Sequence, residues 1–124
     1  MSYDTTNIFA KILRKEIPCD AVYEDEYVLA FRDIEPAAPV HVLIVPKGDF
    51  TSFHDFTTHA DAAMIEGYFT AIRQIAEKVG VAETGYRLIT NHGADASQTV
   101  PHFHMHLLGG KALGGLISSD KLYR

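Results

Sequence analysis

The sequence predicts an α+β fold, a five-stranded antiparallel meander sheet with one short and one long helix. Three observations point there. Five segments have strand length and a β-branched or alternating apolar composition, one stretch near the middle keeps helical periodicity, and the strand candidates are joined by hairpin-length connections.

The first element is a short helix over residues 8–14, where Ile8, Phe9, Ile12 and Leu13 fall on one helical side and Pro18 closes the segment off. Two strands follow, 21–24 and 27–32, separated by an acidic turn. The segment "DIEPAAP" holds two prolines and reads as extended loop rather than helix. "HVLIVP", residues 41–46, is β-branched enough for a central strand buried on both faces.

The run "TTHADAAMIEGYFTAIRQIAEKVG", residues 57–80, reads as one long helix. Thr58 followed by Asp61 supplies a cap, Met64, Tyr68, Ile72, Ile75 and Val79 recur at three- and four-residue spacing, and Gly80 ends it. Ile65, Phe69 and Ala76 widen the apolar stripe beyond what one sheet face needs, which fits either a partner protomer or an ordinary wide core contact. "YRLITN", residues 86–91, and "HFHMHLL", residues 102–108, complete the sheet around the polar, small-residue loop "HGADASQTVP".

A chain of 124 residues, 47% hydrophobic and 22% charged, without an internal repeat, suits one domain with one core. Its formal net charge of −5 argues against a general nucleic-acid binder, since phosphate backbones are held by clustered Lys and Arg. Lys11, Arg14 and Lys15 read as a solvated helix face. The single cysteine, Cys19, excludes an intramolecular disulfide and a Cys-based zinc cluster, and reads as a small half-buried side chain. There is no basic segment leading into an apolar one at the start, and no uninterrupted run of about 18 apolar residues. A soluble, cytoplasmic protein without a membrane partner is the expectation.

The chemistry concentrates in "QTVPHFHMHLLGG". Side chains alternate along a strand, so His102, His104 and His106 share one face while Phe103, Met105 and Leu107 face the core. The simplest structural reading is a row of hydrogen-bonded histidines on a solvent-facing strand. A metal reading has two of them chelating zinc, copper or nickel, yet no HExxH and no second histidine pair at ligand spacing supports it; His41, His54, His59 and His92 could join only through the fold. A third reading is covalent phosphoryl or nucleotidyl transfer. A neutral imidazole offers one nucleophilic nitrogen while the other is held by a carbonyl, and its neighbours donate to the phosphoryl oxygens. That scheme needs neither metal nor cofactor.

"HFHMHLL" resembles the His-x-His-x-His-x-x signature of the histidine triad nucleotide-binding family. "NIFAKILRKEIP", "LAFRDIEPAAPVHVLIVPK" and "NHGADASQTVPHFHMHLLGG" look like successive blocks of its Hint branch, the nucleoside phosphoramidases. The resemblance implies a single domain, with a core over about residues 7–110 and a tail at 111–124. It implies that His104 is the nucleophile, that His102 and His106 orient it and the phosphate oxygens, and that His41 completes the polar network. Thr99 then stands where a hydroxyl helps the leaving group depart, Asn91 and Gln98 belong to the phosphate side, and Asp33 resembles the ribose-binding aspartate.

Ile8, Phe9, Ile12, Phe31, Ile34 and Leu43 resemble the walls around the base, although without the family all six read as core. The implied ligands are purine nucleoside monophosphate derivatives, cleaved at a P–N or related acyl-phosphate bond, and the implied assembly is a homodimer. A dinucleoside polyphosphate hydrolase of the same family and a histidine-rich metal-binding protein are the alternatives. Two features depart from the pattern: Ser97 stands where many members have glycine, and the tail "KALGGLISSDKLYR" lacks a tryptophan found near the end of some members.

Overall fold

The computed structural model describes residues 2–122; positions 1, 123 and 124 of the expected domain and tail lie outside the described residues. Helix α1 (Ile8–Leu13) starts at Asn7, whose side-chain oxygen accepts the Ala10 N–H at 2.9 Å. Strands β1 (Ala21–Glu24), β2 (Val28–Arg32) and β3 (Val40–Pro46) then form an antiparallel meander. After two helices come β4 (Tyr86–Ile89), a 3-10 turn at Ala94–Ala96 and β5 (Met105–Gly109).

The sheet is the expected antiparallel five-stranded one, in the order β1-β2-β3-β5-β4. Its last two strands therefore leave a strict meander: β5 inserts between β3 and β4, so the histidine-bearing segment reaches the middle of the sheet instead of its edge. The expected continuous helix over residues 57–80 is corrected to two helices, α2 (Phe53–His59) and α3 (Ala62–Lys78). Ser52 caps the first through the Asp55 N–H at 3.2 Å, and Asp61 caps the second through the Met64 N–H at 2.8 Å. Ala60, with ψ 144°, breaks the path between them. Thr58 is thus no cap; it sits in the last turn of α2, its hydroxyl bonded to the His54 carbonyl.

Alternation along the strands divides the core in two. Val28, Ala30, Val42, Ile44, Phe103 and Leu107 face α3, meeting Tyr68, Ile72 and Ile75 on its buried stripe. Leu29, Phe31, Leu43 and Val45 point the other way, onto Phe9 and Ile12 of α1. Burial on both faces is what the unbroken apolar run of β3 demands. Phe56 of α2 stacks on Phe103 with ring centroids 4.6 Å apart, and the fully buried Tyr68 hydroxyl donates to the Ile44 carbonyl at 2.7 Å. Complete burial of each such ring contributes roughly 2–3 kcal/mol, enough to anchor the segment leading into β5.

Gly67 lies mid-helix in α3 against its weak helix propensity because the Tyr27 ring packs over it; a Cβ there would lie 2.2 Å from Tyr27 Cδ2. Gly67→Ala is expected to destabilise the protein by about 1–3 kcal/mol through displacement of that ring. Urea unfolding measures it, and a stability equal to or above the original would contradict the packing described.

Candidate active site

Only His106 of the three clustered histidines lies within β5; His102 and His104 precede it, outside the strand. The period-2 alternation nevertheless holds through the whole segment. Phe103 and Leu107 sink into the α3 side, while His104 and His106 emerge on the α1 side. Leu43 pairs with His106 across β3 and β5, so His41, two residues earlier in β3, projects from the same face as its diagonal neighbour.

Hydrogen bonds set the tautomer of each ring. The Ala37 N–H donates to His41 Nδ1 at 3.0 Å, so the neutral ring carries its proton on Nε2 and donates it to His106 Nδ1 at 2.9 Å. His106 in turn holds its proton on Nε2. His104 Nδ1 lies 2.8 Å from the His102 carbonyl, which can only accept, so His104 keeps a lone pair on Nε2. Buried His102 faces the Pro46 carbonyl through Nε2 at 3.1 Å and the Tyr3 hydroxyl through Nδ1.

All four rings are held neutral. Burial pushes His102 down to about 4, and burial with the neighbouring His104 and His41 pushes His106 down to about 4. His104 and His41 are also lowered, mainly by burial and against the pull of the Asp33 carboxylate. A neutral His104 with an exposed lone pair is the nucleophilic form of the side chain.

His104 and His106 line a cavity of about 470 Å³. Phe9 sets its ring edge-on to His104 at 4.8 Å, and Ile12, Phe31 and Leu43 form the buried apolar wall behind it. Ile8 is half exposed and Ile34 is 94% exposed, so these two stand at the mouth rather than in the core. Asp33 reaches the same cavity; its Oδ1 accepts the Glu35 N–H at 2.8 Å, and its Oδ2 lies 3.6 Å from His41 Nε2. Asn91 and the exposed Thr99 line the side near the histidines.

Two of the expected site residues have their side-chain hydrogen-bonding groups engaged within the protein. His102 does not line the cavity, and both its ring nitrogens are spent on Pro46 and Tyr3. It orients His104 with its main-chain carbonyl, and its ring is available neither to phosphate oxygens nor to a metal. Gln98 lines the cavity, yet its amide is committed to the loop: Oε1 accepts from Gly93 N–H, and Nε2 donates to the carbonyls of Thr51 and Val100. Through these bonds it clasps residues 93–100 to Thr51.

The HIT domain model matches residues 14–113. This chain belongs to the HIT family. Its relatives include a purine nucleoside phosphoramidase of Escherichia coli, 47% identical over 93% of this chain and 96% of that one. A 14 kDa zinc-binding protein of Zea mays is 45% identical over 89% and 86%, and other relatives carry only the description HIT-like. A histidine triad protein from Clostridium difficile superposes with a TM-score of 0.83 at 40% identity, over 92% of this chain and 98% of that one.

Among the described residues of this HIT protein, Asp33, His41 and His106 bring potential ligand atoms within 4.8 Å of one another. Their hydrogen bonding does not suit a metal. An ion on His41 Nε2 would force the proton to Nδ1, against the Ala37 N–H, and would displace the hydrogen bond that joins His41 to His106.

Several contributors escaped the sequence reading. Tyr3 is separated from His102 by 99 positions, and nothing in its local pattern signals the contact. Ile17, Pro18 and Val100 extend the cavity wall. Ser97, singled out as a departure, takes a left-handed conformation with φ 61° and ψ 42°, where glycine carries no Cβ penalty.

The neutral histidines make stability pH-dependent. In the unfolded chain His102 and His106 protonate at 6.5, in the folded one only at about 4, so between these values the unfolded state binds more protons. Stability is therefore fully present above that window and is lost as pH falls through it. Urea midpoints measured between pH 7.5 and 4 (roughly the window of a shifted histidine) should decline steadily; a flat profile contradicts neutral burial.

Proposed function

We propose that this protein is a purine nucleoside phosphoramidase that cleaves P–N and related acyl-phosphate bonds of nucleoside monophosphate derivatives through a nucleotidyl-histidine. The observation carrying the proposal is His104, whose Nδ1–H is tied to the His102 carbonyl while Nε2 keeps its lone pair at the wall of a cavity with an apolar slot. The name of the E. coli relative supports the substrate class.

In this mechanism the base lies between Ile8, Ile12, Phe31 and Leu43, and the Asp33 carboxylate accepts from the ribose hydroxyls. His104 Nε2 attacks the α-phosphorus; the new N–P bond forms as the bond to the amine breaks, and the amine leaves with a proton. Thr99 lies at the rim, where its hydroxyl relays that proton from solvent, and the hydrolysing water returns one in the second step. His106 Nε2–H, donor at the end of the Ala37–His41–His106 relay, stabilises charge on the phosphoryl oxygens. The imidazolium formed on His104 keeps its Nδ1–H on the His102 carbonyl. Water then cleaves the N–P bond, releasing the nucleoside monophosphate and restoring neutral His104.

We also propose a cytoplasmic homodimer. β4 is an edge strand carrying Tyr86 and Leu88, each 38% exposed, and Phe69 of α3 is 43% exposed. Ile65 and Ala76 of the wide helix stripe pack into this chain's own core, and a second copy would cover Phe69 and the β4 side chains that remain exposed. Among the described residues no helix is long and apolar enough to cross a membrane.

Release of AMP from adenosine 5′-phosphoramidate in the presence of a metal chelator tests the activity. The wild type should turn over, and His104→Ala should lose at least about a thousandfold in kcat while still binding AMP. No turnover by the wild type would sink the proposal. Light scattering at micromolar concentration should give twice the chain mass; a monomer would remove the dimer.

A further inference from the structure

The N-terminal residues ahead of α1 are absorbed by no role given so far, yet they end against the histidine cluster. Thr6 N–H and its hydroxyl bond Asp4 Oδ1, while the Asn7 main-chain and side-chain N–H groups bond the Asp4 carbonyl. This compact turn folds the segment back and directs half-buried Tyr3 at His102. The phenol oxygen lies 2.5 Å from His102 Nδ1, with the two rings edge-on at 5.6 Å.

The direction of that bond is decided elsewhere. His102 Nε2 faces the Pro46 carbonyl, and a carbonyl has no proton to give, so the imidazole proton is on Nε2. His102 Nδ1 is then a bare acceptor inside a fully buried ring, and the phenol must be the donor. Asn7, which holds the Asp4 turn behind Tyr3, is itself the cap of α1, the helix that presses Phe9 onto His104.

We propose that Tyr3 is a positioning residue for the nucleophile: its hydroxyl satisfies His102 Nδ1, holds that ring in its orientation against Pro46, and so steadies the His102 carbonyl that takes the Nδ1–H of His104. The chain of donors runs from Tyr3 to His102 through the ring, and from His104 to His102 through the main chain, with Pro46 at the end of β3 as the fixed acceptor. Tyr3 touches no reacting atom. Without its hydroxyl, His102 Nδ1 is buried with no donor, and it regains a partner only if the ring moves or a water enters, the proton staying on Nε2 toward Pro46. Movement of the ring shifts the residue whose carbonyl holds His104, and the loss falls on the chemical step because the nucleoside slot is untouched.

The role in turnover rests on the phosphoramidase reading; the lock on the His102 ring through its Nδ1 does not. Tyr3→Phe and Tyr3→Leu are compared with the wild type by steady-state kinetics on adenosine 5′-phosphoramidate, and by 15N spectra of the histidine rings, assigned with His102→Asn. Loss of the hydroxyl should lower kcat by about tenfold or more with KM within about twofold, equally in both variants. His102 Nε2 should stay protonated, while the Nδ1 resonance should move from its position under the phenol bond to that of an unbonded imine nitrogen.

Wild-type kcat in Tyr3→Phe, or an unchanged His102 Nδ1 resonance, overturns the proposal. Activity kept by Tyr3→Phe but lost in Tyr3→Leu makes Tyr3 a packing residue and overturns it as well. Should the wild type fail to turn over, the phosphoramidase reading falls by itself, and the His102 spectrum still decides the lock without any substrate.

Discussion

Everything at the site depends on the alternation of residues 102–107 across a sheet buried on both faces. Phe103 is held by Phe56, Tyr68 and Phe53 on one side, and Leu107 is fully buried beside it. With those two anchored under α3, the chain has no freedom to present His104 and His106 anywhere except on the α1 face. The insertion of β5 between β3 and β4 adds the second coordinate, because it brings His41 of β3 into hydrogen-bond reach of His106. Packing of apolar groups thus supplies the precision with which polar ones meet.

Once packed, the imidazoles are governed by acceptors that cannot donate. Two main-chain carbonyls, Pro46 and His102, and one main-chain N–H, Ala37, determine where three rings carry their protons. Burial removes the charged alternative by lowering the histidines' proton affinity. The result is one ring with an outward lone pair beside another with an outward N–H, the complementary pair that attack on a phosphorus centre requires. The same commitment of protons is what makes Asp33, His41 and His106 a poor cradle for a metal despite their proximity.

The elements that could be read from local pattern are those whose side chains alternate or recur cleanly. α1, the five strands and the buried stripe of α3 emerge within a few residues of their observed limits. α2 was missed because its apolar content is slight: Phe56 is its one buried residue, and its turn of "TTH" ran on into the next periodic stretch. What separates the two helices is the Asp61 side chain taking the Met64 N–H, a choice between cap and helix interior that residue type alone leaves open. Gln98 shows the same limit at the site, since a polar residue beside a phosphate-facing loop can serve a ligand or the loop, and here three backbone groups claim its amide.

By itself the sequence determined the kind of protein: an α+β sheet domain, histidines sharing one face, and the block pattern of a HIT protein. These are local properties, periods of two and of three to four residues and motifs read along one chain. The tertiary structure decided where each histidine carries its proton, and with it the roles the proposed mechanism gives them. Separating a nucleophile from an orienting carbonyl and a proton donor requires contacts spanning 65 positions from His41 to His106 and 56 from Pro46 to His102. Tautomers follow from the partner at each nitrogen, and partners so distant in sequence exist only after the sheet has closed.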